Sequence, residues 1–295
     1  MEALLQNLNY DSIYMNLWET AQRYQNFTAF RIIGNSHDQR MIPMLEIGNG
    51  KQVIFCVAGF SGTDRLTPAY LVQMAKEYCQ YYEQKWEMSE LYAVYDLLNQ
   101  TRICIIPLLN PDGYEICGKG YQAIRNPVFR QMLRMKNHAH CEFPYNARGT
   151  DLSNNFRIRK PNGRFPVETS KENETKALIH IWEEYESIGL LSFFQHENKI
   201  IYYKHPHSLM CSQKSYRLAR NLQKCSHYHL EKHTESMDTP QTLYSPERYY
   251  MKVFKKTAIK IEFPIIQIEH QPQNIQRKQE YLEICSFPLE FLSLT

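Results

Sequence analysis

Long apolar runs are absent from this chain. No stretch approaches the roughly 20 apolar residues needed to cross a bilayer, so no membrane span is expected. The opening residues, Met1-Glu2-Ala3-Leu4-Leu5-Gln6, carry neither a basic start nor the hydrophobic stretch of a secretory signal. Cys-x-x-Cys pairs are missing too: the eight cysteines stand apart at positions 56, 79, 104, 117, 141, 211, 225 and 285. Several sit inside apolar runs, as in Ile103-Cys104-Ile105-Ile106, a pattern of buried free thiols rather than of a disulfide framework. These absences predict a cytoplasmic protein. Strong charge of either sign is also lacking: 34 Lys and Arg against 31 Asp and Glu leave +3, with no sign of a nucleic-acid partner. Nor is there a Gly-x-x-x-x-Gly-Lys, Gly-x-Gly-x-x-Gly or Gly-x-Ser-x-Gly motif, so nucleotide and serine-hydrolase chemistry has no starting point.

What is present fits a folded globular chain: 295 residues, 43 % apolar and 22 % charged, with no repeat and no dividing linker. Residues 1–295 therefore read as one domain. A first helix is expected with Asp11 as its cap and Ile13, Leu17, Trp18, Ala21 and Tyr24 on one face. Extended segments follow at 29–33, 41–47 and 53–58, the last a continuous apolar run suited to a strand covered on both faces. Thr67 as N-cap, with Pro68 in the first turn, opens a helix to about Tyr82. The buried strand 103–106 runs into Asn110-Pro111-Asp112-Gly113, which predicts a turn. Further helices are expected at 128–135 and 170–185, strands at 190–194 and 200–203, and a basic amphipathic helix from Gln213 to Cys225. A central strand at 258–263 precedes a C-terminal helix from about Arg277. Strands alternating with helices predict a mostly parallel sheet flanked by helices.

Several segments, taken together, resemble the zinc carboxypeptidases of the carboxypeptidase A type. Ile33-Gly34-Asn35-Ser36, Gln39-Arg40 and Glu46-Ile47-Gly48 stand in the family's order, with Gln39 in place of a glycine. Pro107-Leu108-Leu109-Asn110-Pro111-Asp112-Gly113-Tyr114 is similar to the family's Pro-x-x-Asn-Pro-Asp-Gly-Tyr. Asn146-Ala147-Arg148-Gly149-Thr150-Asp151-Leu152-Ser153-Asn154-Asn155-Phe156 follows Asn-Ala-Arg-Gly-Val-Asp-Leu-Asn-Arg-Asn-Phe. The stretch Ala123-Ile124-Arg125-Asn126-Pro127 resembles the bacterial branch that cleaves γ-D-glutamyl-diaminopimelate bonds in cell-wall peptides. The resemblance implies a three-layer α/β/α fold with a mixed, roughly eight-stranded sheet. It also implies a zinc held by a His-x-x-Glu pair and a second histidine, with a glutamate as general base.

The positions that match those ligands carry other residues. Ser61 stands at the first histidine, Asp64 at the glutamate and Gln195 at the second histidine. Strand alternation then predicts that His196 faces away from the cleft. The Asn-Arg pair that grips a substrate carboxylate is replaced by Ser153 and Asn154, and asparagine lacks arginine's charged bidentate fork. Met251 stands at the closest ungapped match to the lid tyrosine, with Tyr249 or Tyr250 as candidates in a loop of variable length, and Glu262 matches the general base. Asp151, the family's partner for the first histidine, is expected to pair with Arg148 or cap a turn. His227-Tyr228-His229 with His233 is a weaker rival metal cluster, and it requires a helix there.

The reading is thus of a degenerate carboxypeptidase-like protein without zinc or another cofactor and without peptidase activity. It binds a peptide or peptidoglycan-derived fragment around Ser61, Asp64, Ser153, Asn154, Gln195, Tyr249 and Glu262. Two alternatives stand beside it. One is an active metallopeptidase using Asp64 and His196 in an altered zinc site. The other is a metal-independent enzyme with Glu262 as base.

Overall fold

A computed structural model describes residues 9–88, 92–136, 138–158, 170–205, 208–233, 242–264 and 273–294. Asn9, not Asp11, caps α1 (Tyr10–Arg23): its side-chain oxygen accepts the Ser12 N–H at 2.7 Å. Asp11 instead sits in the first turn, where its charge meets the positive helix end. Strands β1 (Thr28–Asn35) and β2 (Met41–Ile47) form an antiparallel hairpin, followed by β3 (Gln52–Val57) and α2 (Thr67–Gln84). A small pair, β4 (Glu87–Met88) and β5 (Tyr92–Ala93), leads through α3 (Val94–Gln100) into β6 (Thr101–Ile106). The second half contributes α4 (Pro111–Lys119), α5 (Pro127–Arg134), α6 (Asn173–Glu184), β7 (Ser187–His196) and β8 (Lys199–Tyr202). It continues with α7 (Leu209–Lys224), β9 (His229–Lys232), α8 (Pro246–Phe254), β10 (Thr257–Pro264), α9 (Gln273–Ile284) and α10 (Phe287–Ser293).

Eight strands join in the order β1-β2-β6-β3-β7-β10-β8-β9. The centre, β6-β3-β7-β10, is parallel, while β1-β2, β2-β6 and β10-β8 are antiparallel. Val53 to Val57 and Ile103 to Ile106 are buried throughout, which explains their unbroken apolar runs. One sheet face packs on α1, α2, α7, α9 and α10, the other on α6 and α8. A smaller cluster of Ile116, Ile124, Leu133, Phe143 and Ala147 fills the insertion around α4 and α5.

Two predicted non-helical segments are helix starts. Asn110 accepts the Gly113 N–H at 2.9 Å and Pro111 occupies the first turn, so the expected turn is the beginning of α4. Ser245 and Pro246 open α8 in the same way, where the lid loop was expected. The C-terminal helix is two, broken at Cys285-Ser286.

The motifs that carry the family resemblance are built into the scaffold. The Arg40 guanidinium bridges Asp38 at 2.8 Å and Asp112 at 2.7 Å, all three buried. Ser36 donates to Asp112 at 2.8 Å, and Asp38 accepts the N–H groups of Arg125 and Asn126 at 2.8 Å each. The β1–β2 turn is thereby tied to α4 and the insertion. Gln39, standing where the family has glycine, adopts φ 63°, in the left-handed region that glycine tolerates best.

Candidate active site and its altered ligands

Parallel pairing brings the carboxyl ends of β3, β6, β7 and β10 to one sheet edge, where ligands bind in open α/β sheets. The loop after β3 passes so close to its neighbours that position 62 admits only glycine. A Cβ on Gly62 would lie 2.5 Å from the Phe143 carbonyl oxygen and 2.6 Å from that of Gly113. The Gly62 N–H donates to Pro144 O at 2.9 Å, and the Asn110 amide donates to Phe60 O at 3.1 Å. Ser61 and Asp64 are therefore set by a packed floor rather than by a free loop.

The family's three ligand positions are occupied by hydrogen bonds within the protein. Ser61 Oγ lies 2.8 Å from Thr63 Oγ1. Asp64 is 3 % exposed, and its two carboxylate oxygens accept the Thr67 N–H at 3.1 Å and the Thr67 hydroxyl. Burial pushes the Asp64 pKa up to about 6, against the opposing pull of Thr67 and of the Leu66 and Gln195 N–H groups. Asp64 thus caps the start of α2 and ties it to the end of β7. The Gln195 side-chain oxygen accepts the Arg65 N–H at 3.4 Å. Gln195 continues the face of β7 that carries Leu191 and Phe193, in the α2 layer.

The opposite face of β7 carries Phe194 and His196, and Glu262 lies on that side. Glu262 pairs in register with Phe194, whose ring stacks on Phe60 with centroids 4.7 Å apart. His196 Nδ1 lies 3.5 Å from Glu262 Oε2, so the expectation that His196 turns away is corrected: alternation turns Gln195 away instead. The Lys260 ammonium holds Glu262 Oε1 at 2.5 Å and sits 4.4 Å from the Phe194 ring centre. A salt bridge from an Arg or Lys is the expected alternative to a free Glu262, and Lys260 supplies it, though nothing in the sequence analysis singles Lys260 out. Its i, i+2 spacing from Glu262 on a strand was the available signal.

The other predicted residues do not converge on this point. Ser153 donates to Asp151 at 2.6 Å, so Asp151 caps a short turn, while Asn154 is exposed. Tyr249 is corrected from lid to core. It is 7 % exposed on α8, with its ring centroid 5.5 Å from that of Phe156 and 6.3 Å from that of Trp182. His229 belongs to β9 rather than a helix, and His227 pairs with Glu283 at 3.3 Å, so the rival histidines do not assemble.

The family implies zinc, and the donors can be tested against it. Zinc takes imidazole, thiolate or carboxylate donors in a tetrahedral arrangement. Positions 61 and 195 offer a hydroxyl and an amide, and the Asp64 oxygens are engaged by Thr67; this set does not fit. Two other groups of potential donors occur among the described residues. In His196, Glu197 and Glu262, an ammonium already occupies one Glu262 oxygen. In the second, His37 Nε2 lies 2.9 Å from Glu172 and 3.8 Å from Glu174. There the Asn146 NH2 donates to Glu172 at 2.7 Å and Glu174 at 3.3 Å. Its orientation is fixed because its oxygen accepts the Arg148 and Thr150 N–H groups, so a donor, not a lone pair, points into the group. Burial raises Glu172, but hydrogen bonds from His37 and Asn146 outweigh it and hold its pKa below the ordinary value. That group reads as a satisfied polar network joining the β1–β2 turn to α6.

A family model described as zinc carboxypeptidase matches residues 13–267. The chain belongs to the zinc carboxypeptidase family. Among curated relatives, gamma-D-glutamyl-L-diamino acid endopeptidase 1 of Lysinibacillus sphaericus is 30 % identical over 152 residues, covering 50 % of this chain and 38 % of the relative. Human carboxypeptidase D is 28 % identical over 184 residues, 60 % of this chain and 11 % of the relative. The matched segment is thus well under half of either relative's length. Among solved structures, thrombin activatable fibrinolysis inhibitor superposes with a TM-score of 0.71 at 17 % identity, over 99 % of this chain and 77 % of that one. Carboxypeptidase A of Helicoverpa armigera gives 0.69 at 16 % identity, over 99 % and 74 %. At such identity these two establish the eight-stranded zinc-carboxypeptidase fold and nothing finer. No helix among the described residues is long and apolar enough to cross a membrane.

Proposed function

We propose that this member of the family works without zinc and without peptidase activity, as a protein that binds a peptide or cell-wall fragment at the former catalytic edge. The observation that carries this reading is the engagement of Asp64, whose oxygens cap α2 in place of holding a metal. The hydroxyl of Ser61 in place of an imidazole supports it, as does the Lys260 ammonium, which occupies one oxygen of the Glu262 carboxylate that would act as base. A carboxylate hydrolyses an amide only together with a cation or a donor set aimed at the developing oxyanion. Around the cleft, His196 and Lys260 offer polar contacts for a ligand. Asn154 in place of arginine disfavours a substrate whose recognition depends on its terminal carboxylate.

Metal analysis of protein purified without chelator tests the first part, and calorimetry with γ-D-glutamyl-diaminopimelate peptides tests the ligand. The expected results are substoichiometric zinc, no hydrolysis and saturable binding. Stoichiometric zinc that disappears in Asp64→Ala or His196→Ala, with peptide cleavage, would establish the second reading. That reading is an active cell-wall or carboxypeptidase-type hydrolase with an altered site, and it is favoured by the approach of His196 to Glu262.

A further inference from the structure

Helix α7 presents a charge pattern that the cleft does not use. Its 16 residues contain no aspartate or glutamate, yet carry Lys214, Arg217, Arg220 and Lys224. At 100° per residue these four fall within one 120° arc, and all four are exposed. None of them has an ion-pair partner among the described residues, although the chain holds nearly as many acids as bases. The opposite face, with Ser215, Leu218, Ala219 and Leu222, is buried against the sheet, so the basic face cannot turn inward.

The basic row borders a groove of about 630 Å³ rather than a flat surface. Its lining is mostly polar, but exposed Met210 and Leu294, with Tyr216, give it an apolar side over the buried Leu218. Among the described residues, none from the loops after β3, β6 or β7 lines it. Its size is that of a pocket that takes several side chains. A row of unpaired cations beside exposed apolar side chains is complementary to a segment with carboxylates on one side and aliphatic side chains on the other. A concave trough favours an inserted segment over a bilayer, which meets a convex or flat amphipathic face. Nucleic acid leaves the apolar side unused.

We propose that α7 and the end of α10 form a docking groove for an acidic amphipathic polypeptide segment. Carboxylates of the partner lie along Lys214, Arg217, Arg220 and Lys224, and its aliphatic side chains pack on Met210 and Leu294.

The test uses the full chain and a fluorescent peptide of about 16 residues built from Leu-Glu-Glu-Leu repeats, read by anisotropy. Comparators are the matching Leu-Lys-Lys-Leu peptide, phosphatidylserine vesicles and a single-stranded oligonucleotide. Saturable binding of the acidic peptide is expected, weakening with salt. Arg217→Glu with Arg220→Glu should weaken it by about tenfold or more, and Leu294→Asp should weaken it separately. These side chains are exposed, and unchanged circular dichroism confirms that the variants fold. No saturable binding, binding indifferent to these substitutions, or preference for the basic peptide, the vesicles or the oligonucleotide would each overturn the proposal. None of these outcomes depends on whether the cleft binds zinc.

Discussion

Replacing Asp64 with asparagine separates a buried capping carboxyl from a metal ligand by the direction of a pH dependence. Burial carries the Asp64 pKa from 3.8 to about 6, which corresponds to about 3 kcal/mol between its two protonation states. The folded state therefore prefers the neutral acid. The stabilising contribution is complete below 3.8 and is lost as pH rises through about 6. Asparagine does not titrate, but its NH2 cannot accept one of the N–H groups that Asp64 accepts, at a cost of about 1–3 kcal/mol. Asp64→Asn should thus be less stable than the wild type near pH 4, and the gap should close or invert by about 3 kcal/mol near pH 8. Urea unfolding across that range, taken as the difference between the two proteins, isolates this group from every other titration. A flat difference would refute the burial argument. The opposite slope, with the variant losing ground as pH rises, is the signature of a carboxylate that needs its charge to hold a cation, and it would refute the capping role.

Gly62→Ala should destabilise by about 3 kcal/mol or more in thermal or urea unfolding, because both backbone oxygens that its Cβ would strike are held by the fold. Gln39→Gly should stabilise by roughly 0.5 kcal/mol: relief of the left-handed strain, about 1–2 kcal/mol, outweighs glycine's extra freedom in the unfolded chain. Lys260→Met should cost about 1–3 kcal/mol by leaving Glu262 without its ammonium, and adding Glu262→Gln should recover part of that loss in a double-mutant cycle. Added Zn²⁺ should leave the melting temperature of the wild type unchanged within error; a rise that depends on Zn²⁺ concentration would argue for a native-state site.

The central strands are legible in the sequence because burial on both faces leaves a direct imprint: residues 53–57 and 103–106 have no charged or hydrogen-bonding side chain to place. The same physics hid the helix starts. Asn110-Pro111 and Ser245-Pro246 combine a capping side chain with a proline that needs no N–H partner. That pair of features suits a turn and the first turn of a helix equally well. Tyr249 therefore carries no local sign of its place in the core, since nothing in its neighbours says that α8 packs on the Trp182 cluster.

Site register was the harder problem. Tyr202 and Tyr203 are adjacent, so anchoring on one or the other moves the ligand position by a single residue, and one residue exchanges the two faces of a strand. Only the straight run of β7 to His196, paired with β10 through Pro264, assigns Phe194 and His196 to the side of Glu262. Asp64 was different, because its role was written in the chain. Asp64 precedes Thr67 by three residues, and Thr67 is followed by Pro68; this is the spacing by which a carboxylate receives the first free N–H groups of a helix. Seen as a departure from glutamate, Asp64 still permits a metal. Seen as a helix signal, it commits both oxygens to α2, and that commitment bears on zinc more directly than the missing histidines do.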